Sequence, residues 1–296
     1  MRKGLVWLMV FVLVLGLTGC GLFGGGNPQR KPGKPSITIG VTPWTTTTPP
    51  SNIVKNILEG DLGYKVNLQQ GDVGVVYNGL ASGSIDVFLD AWLPHMHQDY
   101  MERFGDKIED VGTSYEEGVL GWVVPSYVPV NSIAELNQYK DKFDRDGNGS
   151  GDVIGIDAGA GMNRTSDQII NDYGLDYELI EGSEFAMLTT LQKAYANQDW
   201  ILFLGWRPHW MFAQYDLKFL DDPKGIWQGD QVHTLVRKGL EDQAPEAVRF
   251  LRNWKLPVED LEQMIYEMQV NERPVEEIAK EWIENNREGI DKMLGK

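Results

Sequence analysis

The chain has 296 residues, with 43 Asp and Glu against 27 Lys and Arg and a formal net charge of −16. Such an acidic surface favours solubility and excludes nucleic acid or an anionic lipid face as the natural partner. Cys20 is the only cysteine, so no internal disulfide can form.

The N-terminus carries a basic pair, Arg2 and Lys3, then a 13-residue apolar run from 5 to 17, then Leu17-Thr18-Gly19-Cys20. That order reads as a secretory signal over residues 1–19. The run is short of the roughly 20 residues that cross a bilayer as a helix. "LTGC" resembles a bacterial lipobox, which makes Cys20 the expected lipid-carrying first residue of the mature chain. The expected location is therefore outside the cytoplasm, anchored by lipid to the outer face of the cell membrane or within a periplasm. With Arg2 and Lys3 removed, 25 basic residues face 43 acidic ones, a net charge of −18. Residues 21 to 35 hold five Gly and three Pro without periodic apolar positions, so 20–35 is expected to be a flexible tether.

Ser36 to Val41 alternates as a strand, and Ser51 is placed to cap a helix carrying Ile53, Val54, Ile57 and Leu58 on one face. A strand at Tyr64 to Leu68, a helix from Asp72 to Leu80 and a strand at Ile85 to Leu89 follow. Strand-helix-strand-helix-strand predicts a parallel α/β sheet with right-handed crossovers. A second such unit begins near Asp152, with a strand at Val153 to Ile156, helices over 163–172 and 184–197, and a buried strand at Ile201 to Leu204. From about 240 onward the pattern is helical. About 260 residues past the tether suit two lobes better than one core. The expected division is 36–124 plus 231–296 for the first lobe and 125–230 for the second, with a ligand cleft between them.

Three tryptophans follow predicted strand ends: Trp44 in Thr42-Pro43-Trp44, Trp92 in Asp90-Ala91-Trp92-Leu93-Pro94, and Trp206 in Gly205-Trp206-Arg207-Pro208. Trp122, Trp200, Trp254 and Trp282 sit inside strand or helix patterns and are assigned to packing. A trimethylammonium group has a permanent charge and no N–H to donate, so converging indole faces are the chemistry that holds it. Gly159-Ala160-Gly161 turns into the helix beginning near Asn163, leaving free N–H groups and a positive dipole end that suit a carboxylate. His97, five residues past Trp92, is a candidate donor to the same group.

"VFLDAWLPHMHQDY", "GIDAGAGM" and "GWRPHWMF", one after another along the chain, resemble the glycine betaine/proline betaine binding proteins of ABC transporters. The resemblance extends over roughly 36–290. It implies a two-lobe periplasmic-binding-protein fold, type II-like, each lobe a mostly parallel sheet flanked by helices. Matched motif by motif, it implies an ammonium box of Trp44, Trp92 and Trp206, with His97, Gly161 and Met162 on the ligand's carboxylate. It implies no catalysis, no cofactor and no metal, with a small zwitterion and an ABC permease in the membrane as partners. Choline or carnitine on the same fold is the alternative ligand. Asp90 and Asp157 near the strand ends are candidate acceptors for a choline hydroxyl.

A secreted metal-dependent enzyme is the alternative of another class, with His95-Met96-His97-Gln98-Asp99 as its only candidate centre. No Gly-x-Ser-x-Gly, His-Glu-x-x-His or P-loop supports it. Asp144-Arg145-Asp146-Gly147-Asn148-Gly149 matches the opening of an EF-hand calcium loop, but Gly155 stands at position twelve where Glu belongs. The other reading of that stretch is a plain Asp/Gly turn.

Overall fold

The computed structural model describes residues 33–296. The expected signal peptide, the expected lipidated Cys20 and most of the expected tether lie outside the described residues. Three parallel strands open the fold: β1 (Ser36–Val41), α1 (Thr48–Gly60), β2 (Lys65–Gln70), α2 (Val73–Ser82) and β3 (Val87–Leu93), with β1 between β2 and β3. After α3 (Gln98–Phe104) comes β4 (Ile108–Pro125), 18 residues long, then α4 (Lys140–Phe143). A second parallel triplet follows, as β5 (Gly151–Ile154), α5 (Gly161–Tyr173), β6 (Tyr177–Ile180), α6 (Glu184–Asn197) and β7 (Leu202–Arg207). The chain continues through α7 (Met211–Gln214), β8 (Leu217–Phe219) and β9 (Asp230–Arg237). It closes on α8 (Leu240–Gln243), α9 (Pro245–Asn253), α10 (Val258–Gln269), α11 (Val275–Asn285) and α12 (Arg287–Met293). No helix among the described residues is long and apolar enough to cross a membrane.

The strand order is β2-β1-β3-β9-β4-β7-β5-β6, with β8 also on β4. The two triplets are parallel as the sequence pattern predicts, while β9 and β4 run antiparallel to their neighbours, so the sheet as a whole is mixed. Register decides where the site can form. At the end of β3, Leu93 pairs with Gln231; next to it Asp230 pairs with Gly118 in the middle of β4. At the end of β7, Arg207 pairs with Val119. The C-terminal ends of β3 and β7 therefore converge on adjacent residues of one long strand, where open α/β sheets place ligands.

Two local expectations need correction. Ser51 does not cap α1: the helix starts at Thr48 behind Thr47, with proline in its first turn. Proline is tolerated there because its missing N–H would lack a partner anyway. Trp92 and Trp206 do not lie in loops past the strands but are next-to-last residues of β3 and β7. Their antiparallel partners, Val232 for Trp92 and Leu120 for Trp206, carry each strand one residue beyond the tryptophan. Trp122 and Trp254 are fully buried and Trp282 nearly so, while Trp200 packs half-buried on Phe143 and Tyr139.

Asp86, just before β3, ties the first half of the sheet together. Its carboxylate accepts the Thr38 N–H of β1 at 2.7 Å and the Arg237 guanidinium of β9. With both side chains mostly buried, removing one charge strands the other. Asp86→Ala is expected to cost about 3 kcal/mol in urea unfolding; a loss under ~0.5 kcal/mol would show the pair to be dispensable.

Candidate ligand-binding site

Between the converging strand ends lies a small cavity with about 340 Å³ of atom-free space, part of it open to solvent. Its wall includes Trp44, Trp92, His97, Gly161, Met162 and Trp206, so all six residues singled out in the sequence meet at one place. Thr46, Met96, Leu120, Ile156 and Ala160 complete the wall. The three indoles are buried at 4 to 7 % exposure, each approaching from a different chain segment.

Two of the indoles are oriented by carboxylates. Trp92 Nε1 donates to Asp90 Oδ1 at 3.2 Å, and Trp44 Nε1 donates to Asp157 Oδ2 at 3.2 Å. Asp90 is 1 % exposed, and its other oxygen accepts from the Thr47 hydroxyl at 2.9 Å and the Thr46 hydroxyl at 3.1 Å. Burial outweighs these donors, and the Asp90 pKa is pushed up to about 6, with Glu184 adding like-charge repulsion. The threonine run 45–48, which reads as low complexity, thus has assigned work. Thr42 and Thr47 share a hydroxyl hydrogen bond at 2.6 Å, and Thr45 gives both its N–H and its hydroxyl to Glu184.

His97 is fixed in one tautomer. The backbone N–H of Trp92 can only donate, and it meets His97 Nδ1 at 3.2 Å; the Tyr77 hydroxyl reaches the same nitrogen at 3.2 Å. The proton must therefore sit on Nε2, which has no hydrogen-bond partner among the described residues. Burial, helped by the positive charge of Arg164, drives the His97 pKa down to about 3, so the ring is neutral at ordinary pH. Asp230 holds the preceding turn in place by accepting the N–H groups of His95 at 2.9 Å and Met96 at 2.8 Å.

Opposite stands the start of α5. Most helices place Ser, Thr, Asp or Asn at the N-cap to satisfy the first N–H groups. Here the cap is Ala160, which offers no side chain, and the N–H groups of Gly161 and Met162 have no acceptor among the described residues. Gly159 turns the chain with φ +87°, and Tyr100 from α3 donates to its carbonyl at 2.9 Å. Gly161 packs so close to the Met96 backbone that a Cβ there would lie 2.1 Å from the Met96 carbonyl oxygen.

Further contacts bridge the cleft. Arg164 pairs with Asp99 and donates to the His95 carbonyl at 3.1 Å. Glu184, 3 % exposed, meets His209 Nε2 at 3.1 Å while holding Thr45, and His209 stands edge-on to Trp206 with centroids 4.8 Å apart. The chemistry of the wall is thus aromatic faces on one part and neutral N–H donors on another. His97 is committed to Trp92 and Tyr77 through Nδ1, and the His95, His97 and Asp99 stretch forms no metal-holding cluster among the described residues. Sequence reasoning missed Asp230, Glu184, His209 and the threonines, because their partners lie up to 139 positions away.

Comparison with known proteins gives a consistent picture. The family described as the substrate binding domain of ABC-type glycine betaine transport systems matches residues 35–285. The glycine betaine/carnitine transport binding protein GbuC of Listeria monocytogenes is 43 % identical over 144 residues, which is 47 % of this chain and about half (48 %) of that relative. The glycine betaine-binding periplasmic protein OusX of Dickeya dadantii is 23 % identical over 82 % of this chain and 83 % of its own. Lactococcal OpuAC, crystallised closed on glycine betaine, superposes with TM-score 0.81 at 31 % identity, covering 88 % of this chain and 100 % of that one. ProX of Borrelia burgdorferi gives 0.81 at 35 %, covering 88 % and 98 %. A choline-binding protein in complex with choline gives 0.80 at 25 %, covering 88 % and 91 %. The chain is a two-lobe solute-binding protein belonging to the family of substrate-binding domains of ABC-type glycine betaine transport systems.

Proposed function

We propose that the protein captures glycine betaine, or a closely related quaternary-ammonium zwitterion, outside the cytoplasm and hands it to an ABC permease without altering it chemically. Trp44, Trp92 and Trp206 box the trimethylammonium group, while His97 Nε2 and the N–H groups of Gly161 and Met162 hold the carboxylate. Cys20 carries the lipid that keeps the protein at the membrane, and the lobes divide at 36–124 plus 231–296 and 125–230. The observation that carries this reading is one small cavity lined by three indoles and by unpartnered N–H donors. Each cation–π contact contributes on the order of 0.5–2 kcal/mol when desolvated, so neither end alone accounts for micromolar capture.

The donor end also weighs against choline, which would bring a hydroxyl and no carboxylate. Of the candidate acceptors for that hydroxyl, Asp90 already takes three donors of the protein and Asp157 Oδ2 takes the Trp44 indole N–H, which leaves Asp157 Oδ1 as the oxygen without a partner among the described residues. In this setting the buried Asp90 charge stands one residue behind the box and complements the ligand's permanent cation through the Trp92 ring.

Trp92→Ala and Trp206→Ala are each expected to weaken glycine betaine binding at least tenfold in calorimetric titration, with a lowered melting temperature but a single cooperative unfolding transition; undiminished affinity in both would remove the box. His97→Ala is expected to reduce betaine affinity more than choline affinity, and the reverse order would transfer the assignment to choline. Gly161→Ala is expected to abolish high-affinity binding, because the added methyl meets the Met96 carbonyl and holds the cleft open.

The pH dependence follows from Asp90. Its raised pKa means that the ligand-free fold is favoured below the unfolded carboxylate range, about 3.9, and loses that contribution as pH rises through about 6. A bound cation stabilises the charged form, so binding releases a proton near pH 6 and affinity falls as pH drops below it. His97, with a pKa of about 3, does not titrate in that window. Asp90→Asn is expected to flatten the affinity profile between pH 5 and 7.5; an unchanged slope would assign the linkage to another group.

A further inference from the structure

Far from the cleft, the loop between α4 and β5 folds around the carboxylate of Asp144. That carboxylate accepts the N–H groups of Gly147 at 2.7 Å, Asn148 at 3.1 Å and Gly149 at 2.9 Å. The loop leads into β5, where Asp152 stands directly opposite Glu178 in the parallel register with β6. Like charges facing each other across paired strands are destabilising. A third carboxylate joins them, since oxygens of Asp146, Asp152 and Glu178 all lie within 4.8 Å of one another.

No ion pair answers this convergence: Lys140 gives its ammonium to the Gly149 carbonyl at 2.9 Å and to Asp176, and Arg145 turns its guanidinium to the Trp200 carbonyl at 3.3 Å. Among the described residues, none of Asp144, Asp146, Asp152 and Glu178 takes part in an ion pair. Asp152 is 3 % exposed; its Oδ2 accepts the Arg145 N–H at 2.9 Å, while its Oδ1 is buried with no partner at all. Burial, and then the neighbouring carboxylates, raise its pKa. A buried, unpartnered carboxylate oxygen between two further acids is costly unless a cation completes it.

We infer that Asp146, Asp152 and Glu178, with the Asp144 loop, form a calcium site in which Glu178 of β6 supplies the carboxylate missing at loop position twelve. Every available donor is an oxygen, which suits a hard cation and not zinc. One oxygen from each of the three carboxylates lies within 4.8 Å of the others, near enough to share an ion, and calcium accepts such an irregular set of oxygens where magnesium demands near-ideal octahedral geometry. Asn148 occupies the fifth loop position, and its amide nitrogen reaches Asp146 at 3.2 Å and also Glu178. Its Oδ1 accepts the Ser150 N–H at 2.8 Å, so presenting that oxygen to the ion by a half-turn of the amide gives up this one bond. The Ser150 carbonyl stands at the seventh position and Asp152 at the ninth, as the loop pattern requires. The ion would clamp the starts of β5 and β6, and β5 leads straight into the Gly159 to Gly161 turn.

The test is calcium chloride added to the chelator-treated full-length protein. Expected are saturable calorimetric heat for one ion per chain, weaker response to magnesium, and a melting temperature raised on the order of 5 °C at a hundredfold excess over Kd. In chelator, Glu178→Gln is expected to melt at or above the wild-type temperature, because a facing charge is gone, and to lose the calcium-induced rise. Asp146→Asn, in the exposed loop, is expected to lower calcium affinity at least tenfold. Both variants should keep the parent's circular dichroism and single cooperative melting transition in chelator, which certifies their fold whatever the cleft binds. No saturable calcium heat in the wild type, or a full calcium-induced rise in Glu178→Gln, would overturn the site.

Discussion

A carboxylate buried to 1 % exposure is tolerable only if its oxygens are met, and the cleft is arranged around meeting those of Asp90. Its three partners come from two places: the hydroxyls of Thr46 and Thr47 ahead of α1, and the indole N–H of Trp92 on its own strand. One group thereby fixes the helix entry, the path of the chain after β1 and the plane of a wall-forming ring. The residual cost shows in the elevated pKa, so the ligand-free site holds an incompletely compensated negative charge. A site prepared in this way favours a cation that donates no hydrogen bond, since three donors of the protein already serve the two Asp90 oxygens. That is the physical content of recognising a methylated ammonium instead of a primary one.

The two halves solve the same problem with related parts. Trp92-Leu93-Pro94-His95 leaves the end of β3 and Trp206-Arg207-Pro208-His209 the end of β7, each on the edge strand of its parallel triplet, where β3 meets β9 and β7 meets β4. In the first half a histidine, His97, accepts the backbone N–H of the strand's tryptophan. In the second, His209 accepts the Met211 N–H at 3.1 Å through Nδ1 and turns Nε2 toward Glu184. The first imidazole is thus left with a free donor at the cavity, while the second is spent on a structural carboxylate. The two rings are not equivalents in the Trp-x-Pro-His pattern, where His95 is the counterpart of His209, and they differ in what the second nitrogen meets.

Much of this was legible in the sequence because it depends on short range. The β-α-β units follow from apolar periodicity over a few residues, and Trp44, Trp92 and Trp206 stand out because each lies within two residues of a proline at a predicted strand end. The turn at Gly159 to Gly161 was legible for the same reason. What escaped is set by register and by distance along the chain. Only pairing with β9 and β4 shows that Trp92 and Trp206 are strand residues, and only the middle of β4 shows why the two ends meet. The run Thr45 to Thr48 has no periodicity to interpret, since its partners Asp90 and Glu184 lie 43 to 139 positions away. Likewise Gly155 looked like a broken loop because its replacement, Glu178, is supplied by the neighbouring strand.

Closure links these observations energetically. If only a fraction of molecules is closed without ligand, apparent affinity falls by that fraction. Several bridges, Thr45 to Glu184, Tyr100 to the Gly159 carbonyl and Arg164 to Asp99, involve no wall donor that a ligand needs. They lower the cost of closing for any occupant and so set affinity without setting preference. The Trp44 bond to Asp157 differs, because it crosses the cleft and also fixes the tilt of a wall indole. The same holds for Gly161 against Met96, where approach of the halves brings the free N–H groups to the cavity. Preference therefore resides in the few contacts that closure and ring geometry share, and the remaining bridges tune how tightly whatever fits is held.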